Sequence, residues 1–218
     1  MRLADIWQLF ESHVFPAPST DRLFNHYRDR HPEHDLPDAP AIRRENLRRY
    51  VSAYAARPPV LLLLEAPGPW GCRFSGVPIT SEAQLADDAF PLDGRPSGSA
   101  SEPHNEYSAR IFWRVMRPYF PHFFIWSSVP LHPHHADRPL SIRTPTAGEV
   151  AAFVPVVAGL VERLGPRHVL AIGRKAEAAL QRAGAGARYV RHPSQGGARH
   201  FEDGIREAFA AFGLPPGT

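Results

Sequence analysis

Cysteine is all but missing from this chain. Cys72 stands alone among 218 residues, which excludes an internal disulfide framework and any zinc or iron–sulfur site held by four thiolates. Lysine is equally scarce: of 25 basic residues only Lys175 is lysine, leaving 24 arginines. Long apolar runs are missing too. Val60–Leu64 and Val150–Leu160 are too short or too interrupted to cross a bilayer. The opening "MRLADIWQLFESHVF" mixes acidic residues into an amphipathic pattern and has no small-residue cleavage site, so it is not read as a signal peptide. No internal repeat is present, and "IGRKA" (172–176) has one glycine, which excludes a dinucleotide fingerprint or a P-loop. These absences lead to the expectation of a cytoplasmic protein without membrane contact or cofactor.

What is present is a hydrophobic fraction of 43%, enough for a sizeable core, and a net charge of +3 with a pI near 9.3. Arginine suits phosphate recognition because its planar fork bonds bidentately, although a GC-rich coding sequence raises Ala, Arg and Pro together. The balance permits nucleic-acid binding without establishing it.

Spacing and breakers divide the chain. Residues 1–40 read as a helical start followed by an irregular stretch rich in Pro, Asp and His, an N-terminal extension to a single domain spanning 1–218. Residues 41–56 are an amphipathic helix stopped by "RPP", and "VLLLL" (60–64) is apolar on both faces, as a central parallel strand would be. Residues 81–104 are expected to be a polar loop whose "DGRPSGSASEPH" is mobile. A helix over 105–120 places Tyr107, Ile111, Phe112, Val115 and Met116 inward, and "HFFIWSSVPL" starts as a second buried strand. Residues 146–165 open with the capping pair Thr146 and Glu149, with Pro155 expected to kink or divide that helix. Strands at 168–173 and 187–194 and helices at 174–183 and 198–213 complete the series. Helices alternating with four short apolar strands predict a three-layer α/β/α domain with a central four-stranded, mainly parallel sheet.

In such a sheet ligands bind beyond the carboxyl ends of the strands. Three strands here run into unusual polar loops: Glu65–Arg73, Ser127–His135 and Arg191–Gly197. They are expected to open on one edge. The loop "LHPHH" (131–135) also invites a metal reading, but no second ligand cluster accompanies it and Pro133 opposes helical ligand spacing, so a loop lining the site is preferred.

Taken in order, "LEAPG" (64–68), "WSSVPLHP" (126–133) and "RHPSQGG" (191–197) resemble the uracil-DNA glycosylase superfamily. The pattern EAPG-x-x-GCR-x-[ST]G-[IV]P, with "RxENLxxY" upstream and "IGRKA" later, is most similar to a cluster-free bacterial group of that superfamily. The resemblance implies hydrolysis of an N-glycosidic bond in DNA containing a deaminated base, with release of free uracil, by a monomer that carries no metal and no iron–sulfur cluster. It implies that Glu65 orients water and favours the oxocarbenium, while His192 donates a hydrogen bond to the departing base. Ala66, Pro67, Gly68, Trp70, Phe74, Ile79 and Ser127 become candidate walls of the base pocket. Arg73, Ser194, Gln195 and Arg199 become candidate DNA contacts, with Gln195 or Arg199 filling the gap left in the stack and Arg73 alternatively locking the loop through Glu65. Two departures touch base recognition. Ser127 stands where relatives carry Asn, and Ile79 where the family carries a stacking Phe. Hypoxanthine or xanthine therefore stays open as the excised base, and a non-catalytic nucleic-acid binder stays open as a rival.

Overall fold

The structure is a computed structural model describing residues 3–217. The first two positions of the expected N-terminal helix and the final residue of the expected domain lie outside the described residues. Along the chain run α1 (Leu3–His13), β1 (Leu23–Phe24), α2 (Ala39–Ser52), β2 (Val60–Leu64), the short α3 (Cys72–Ser75) and α4 (Glu82–Leu85), and α5 (Tyr107–Met116), which passes into a 3-10 turn. Then follow β3 (Phe123–Ser127), β4 (His132–Pro133), α6 (Ala147–Leu164), β5 (His168–Ile172), α7 (Arg174–Arg182), β6 (Arg188–Val190) and α8 (Ala198–Ala211).

The expected central sheet is present. Its order is β3-β2-β5-β6 and every pairing is parallel. All five residues of β2 are buried, as a strand with neighbours on both sides and helices on both faces must be. Alternation along β3 sorts the layers. Phe123 faces Phe112 of α5 and Phe209 of α8, whereas Trp126, on the opposite face, stacks on Phe10 of α1 at 4.2 Å and 8°. Helices α6 and α7 pack beside α1 on that second face. The free edge of β3 is closed by α2: Tyr50 Oη accepts from the Ile125 amide at 2.6 Å, and Tyr54 Oη donates to the Phe123 carbonyl at 2.8 Å. The N-terminal residues are thus part of the core, with Ile6, Leu9, Phe10 and Val14 buried. A second, two-stranded antiparallel sheet of β1 and β4, unforeseen in the sequence, fastens Leu23 to Pro133.

Three expectations are corrected. The loop over 81–104 is tied down, because the buried Glu82 carboxylate accepts the amides of Ser97 at 2.6 Å, Gly98 at 2.9 Å and His104 at 3.0 Å. Tyr107 does not face inward but is 71% exposed on the first turn of α5. Pro155 does not divide α6. It sits on the exposed face one turn after exposed Ala151, whose carbonyl it deprives of a helical donor. Among the described residues no helix is long and apolar enough to cross a membrane.

Candidate active site

β3 follows β2 on one side with α5 covering one face, whereas β5 and β6 lie on the other side with α6 and α7 covering the opposite face. Loops leaving β2 and β5 therefore diverge, and a crevice opens beyond their carboxyl ends. A cavity of about 460 Å³ occupies that place. Leu64–Gly68 from the end of β2, Ser127 at the end of β3, Ile172–Lys175 at the junction of β5 and α7, and Arg191, His192, Ser194 and Gln195 after β6 line it, with Ile79, Glu106 and Ile142–Thr144 supplied by intervening loops and Ser108 by the first turn of α5. The volume suits a nucleoside-sized ligand.

Glu65 and His192 share this cavity, as expected. The Glu65 carbonyl accepts from the Val129 amide at 3.0 Å and from Ser128 Oγ at 2.7 Å, so the backbone that carries its side chain is pinned to β3. Partial burial raises the Glu65 carboxyl above its ordinary value, and Lys175 and the Thr144 hydroxyl partly offset that rise. The imidazole of His192 is oriented by its own loop. The Ser194 amide donates to Nδ1 at 3.1 Å, so the neutral ring carries its proton on Nε2. Ser194 Oγ lies 2.8 Å from the same Nδ1. Burial, then the nearby Arg191 charge, pulls His192 down to about 4, so the neutral ring persists at ordinary pH. One side of the cavity thus holds a carboxylate and another a neutral N–H donor.

Ala66, Pro67, Gly68, Ile79, Ser127, Ser194 and Gln195 also line the cavity. Ile79 and Gln195 are the two non-glycine residues with positive φ among the described residues, 45° and 52°. A β-branched residue at such a φ is strained, and such strain persists where surrounding structure holds it in place. Here Trp113 Nε1 donates to the Ile79 carbonyl at 3.1 Å.

Four sequence candidates stand elsewhere. Phe74 is fully buried and packs on His104 at 3.8 Å between ring centres, and Trp70 lies over that pair, 41% exposed, outside the cavity. Arg73 meets neither phosphate nor Glu65: it is 1% exposed and bonds Asp35 at 2.5 Å, with its guanidinium 4.1 Å from the Phe74 ring centre. Burial drives it to the nearest carboxylate. Arg199 is exposed beside Asp203 at the start of α8, outside the cavity. The histidine loop serves the site indirectly. His132 is buried with Nδ1 2.9 Å from the Pro67 carbonyl, bracing the loop after β2, while the following Ile142–Thr144 supplies the wall.

Sequence reasoning missed Glu106, Ser108, Arg143, Thr144, Arg174, Lys175 and Arg191. Glu106 reads as a solvated acid at a helix start; only its neighbours reveal otherwise. Lys175 was detectable as the sole lysine beside a strand end. Of the cavity's cations, Arg143 is paired with Glu149 and Arg174 with Glu177, whereas Lys175 and Arg191 have no salt-bridge partner among the described residues. For metals, His31, Glu33 and His34 bring ligand atoms within 4.8 Å of one another on a surface turn that lines no part of this cavity.

Comparison with known proteins agrees with this geometry. The family model of the uracil DNA glycosylase superfamily matches residues 51–212, a span that includes every strand of the central sheet. No curated protein sequence matches the chain. The crystal structure of wild-type Pedobacter heparinus SMUG2 aligns with a TM-score of 0.62 at 16% identity, covering 99% of this chain and 100% of that one. At that identity the likeness is one of fold.

Proposed function

The chain belongs to the uracil DNA glycosylase superfamily, and from that premise we propose that it is a monofunctional glycosylase that excises uracil from DNA. We assign it to the cluster-free bacterial group carrying the EAPG and HPS motifs. Its setting on this reading is cytoplasmic base-excision repair, and it acts as a monomer without a cofactor.

The observation that carries the reading is the joint presence of Glu65 and a neutral, Nε2-protonated His192 in one nucleoside-sized cavity at the switch point of the sheet. The reaction proceeds on a nucleotide flipped out of the stack, because the glycosidic bond is inaccessible within a duplex. The C1′–N1 bond breaks and its electron pair leaves with the base. His192 Nε2–H donates to the base oxygen on which negative charge grows, a fixed donor that needs no reorganisation. Water adds to the cationic C1′ and gives its proton to Glu65. A carboxyl raised by burial is the stronger base for that step. Lys175 and Arg191, in no salt bridge among the described residues, are assigned to phosphates at the mouth.

A second reading, excision of hypoxanthine or xanthine, is favoured by one observation. Ser127 is small and buried, so the end of β3 carries no amide to define a pyrimidine edge.

The test is an oligonucleotide with a single uracil, hypoxanthine or xanthine, single-stranded and in duplex, treated with the protein and then with alkali to cut abasic sites. Cleavage at uracil is expected. Cleavage confined to a purine substrate moves the assignment to the second reading, and no cleavage of any of the three replaces the enzyme with a nucleic-acid binder.

A further inference from the structure

Glu106 is the one carboxylate lining the cavity, apart from Glu65, and the mechanism above does not use it. Its Oε2 is sealed from solvent and makes no hydrogen bond of good geometry among the described residues, where the Gly71 amide is the backbone donor directed at the carboxyl, and no salt bridge reaches the side chain. The neighbouring loop makes room for it. A Cβ built on Gly71 would lie 2.1 Å from Oε2, and one on Gly68 2.8 Å from it, so only glycine at these positions lets the carboxyl sit beneath the loop after β2. Its other oxygen, Oε1, is hydrogen-bonded to Ser108 Oγ, and Ser108 also lines the cavity.

An ionised carboxylate in this position would leave one anionic oxygen buried with no well-formed hydrogen bond and no countercharge, a costly arrangement. A neutral carboxylic acid resolves it. In that form an O–H on Oε1 would donate to Ser108 Oγ, the reverse of the sense in which Ser108 Oγ donates to an ionised Oε1, and Oε2 is then an uncharged carbonyl oxygen. Ser108, with a lone pair occupied by that proton, must turn its own hydroxyl hydrogen elsewhere, and the cavity is the open direction.

We propose that protonated Glu106 and Ser108 form a relay that reads the deaminated edge of the base: Glu106 O–H to Ser108 Oγ, and Ser108 O–H to the base carbonyl. Deamination replaces an exocyclic amino group, a donor, with a carbonyl oxygen, an acceptor. A hydroxyl held as a donor accepts the deaminated base and opposes an amino group. Ionised Glu106 would reverse the sense, because Ser108 would then donate to the carboxylate. The relay supplies the polar contact that Ser127, short of an amide, does not. Ser108 is thus a specificity residue and Glu106 its positioning residue. The proposal rests on the glycosylase reading above.

Burial holds the Glu106 carboxyl above its ordinary value, the direction a neutral acid requires, while a hydrogen bond donated by Ser108 or by the Gly71 amide pulls the other way. The groups around it set the pH profile. They are the Cys72 thiol of α3, pushed up to about 12 by burial, and across the cavity Glu65, His192, Lys175, Arg143, Arg174 and Arg191.

The test measures single-turnover excision from a uracil oligonucleotide across pH, for wild type and for S108A, E106A and E106Q, with folding checked by thermal melts. S108A and E106A are expected to slow excision roughly 10- to 100-fold, the range for losing one buried hydrogen bond. E106Q, whose amide N–H can donate to Ser108 at any pH, is expected to stay within about 5-fold of wild type, the size of one weak hydrogen bond, and to lack the decline that wild type shows as rising pH ionises Glu106. A folded S108A as active as wild type overturns the relay. So does E106Q as impaired as E106A, or a wild-type profile with the same alkaline limb as E106Q. Wild type inactive on every deaminated base defeats the glycosylase reading itself and the relay with it, whereas an active wild type beside unaffected variants defeats the relay alone.

Discussion

At the scale of single residues, backbone conformation and close approach decide more than side-chain chemistry. Gly76 ends α3 at φ 76°, and a Cβ there would lie 2.4 Å from the Arg43 carbonyl oxygen of α2. Neither the conformation nor the space admits alanine. Gly76→Ala is expected to cost about 2 kcal/mol or more, read from the urea midpoint; an unchanged midpoint would mean that α2 and α3 are not packed as described. That Glu65 and His192 would share a cavity was legible, Glu65 because it follows the apolar run of β2 and His192 because its "RHPS" loop leaves a parallel strand at the same edge of the sheet. Glu106 and Ser108 were not, because nothing in "NEYS" reveals that Gly68 and Gly71, in the loop after β2, have cleared space for a carboxyl. Arg73 shows the converse error. A basic residue in a loop suggests phosphate, but burial beside Asp35 gives it a structural partner.

At the scale of elements, the loops around the site are held by buried charge. Asp35 bonds Arg43 of α2 at 2.6 Å and Arg73 of α3 at 2.5 Å, all three fully or almost fully buried. Burial pushes the Asp35 carboxyl up, but the two guanidiniums outweigh it and hold the group below its ordinary value. Asp35→Asn leaves two buried arginines facing each other without a countercharge. A loss of about 3 to 5 kcal/mol in guanidinium unfolding is expected, since breaking such a group strands charge in the interior; a loss below about 1 kcal/mol, the range of an exposed pair, would place the cluster in solvent. The helices and strands were legible because periodicity and breakers are local signals. The ordering of residues 81–104 was not, because it depends on Glu82 collecting amides from residues far along the chain, and a polar loop that is tied down has the same composition as one that is free.

At the scale of the whole molecule, buried neutral histidines set the response to acid. Burial lowers His132 from 6.5 to about 4 in the folded protein. Below pH 6.5 the unfolded chain takes up a proton that the folded protein refuses, so stability falls as pH drops from about 6.5 to about 4, by roughly 3 kcal/mol for this group at the lower end. His132→Gln is expected to flatten that part of a melting-temperature profile; an unaltered slope would assign the loss to other groups. Acid also affects the chemistry. The proposed mechanism needs Glu65 ionised and His192 neutral, so on that proposal kcat/KM should fall on the acid side with its upper bend above the ordinary glutamate value, set by the raised Glu65 carboxyl, and with His192 contributing only near 4. An acid limb centred near 6.5, the value of a free histidine, would contradict the buried imidazole. The α/β/α architecture and the shared cavity were both foreseeable, since a parallel sheet gathers its strand ends on one edge; the cavity's basic lining was not, because it combines Arg143 from a loop, Arg174 and Lys175 from the start of α7 and Arg191 after β6.

The central claim is that Glu65 and His192 work on one bond from within one cavity. The most direct test is single-turnover excision of uracil by wild type, Glu65→Gln, His192→Ala and the double variant, alongside binding of the same oligonucleotide. Each single variant should lose about 100-fold or more in rate with binding largely retained, and the double variant should lose less than the product of the two, as groups acting on one transition state do. Full activity in either single variant would contradict the account.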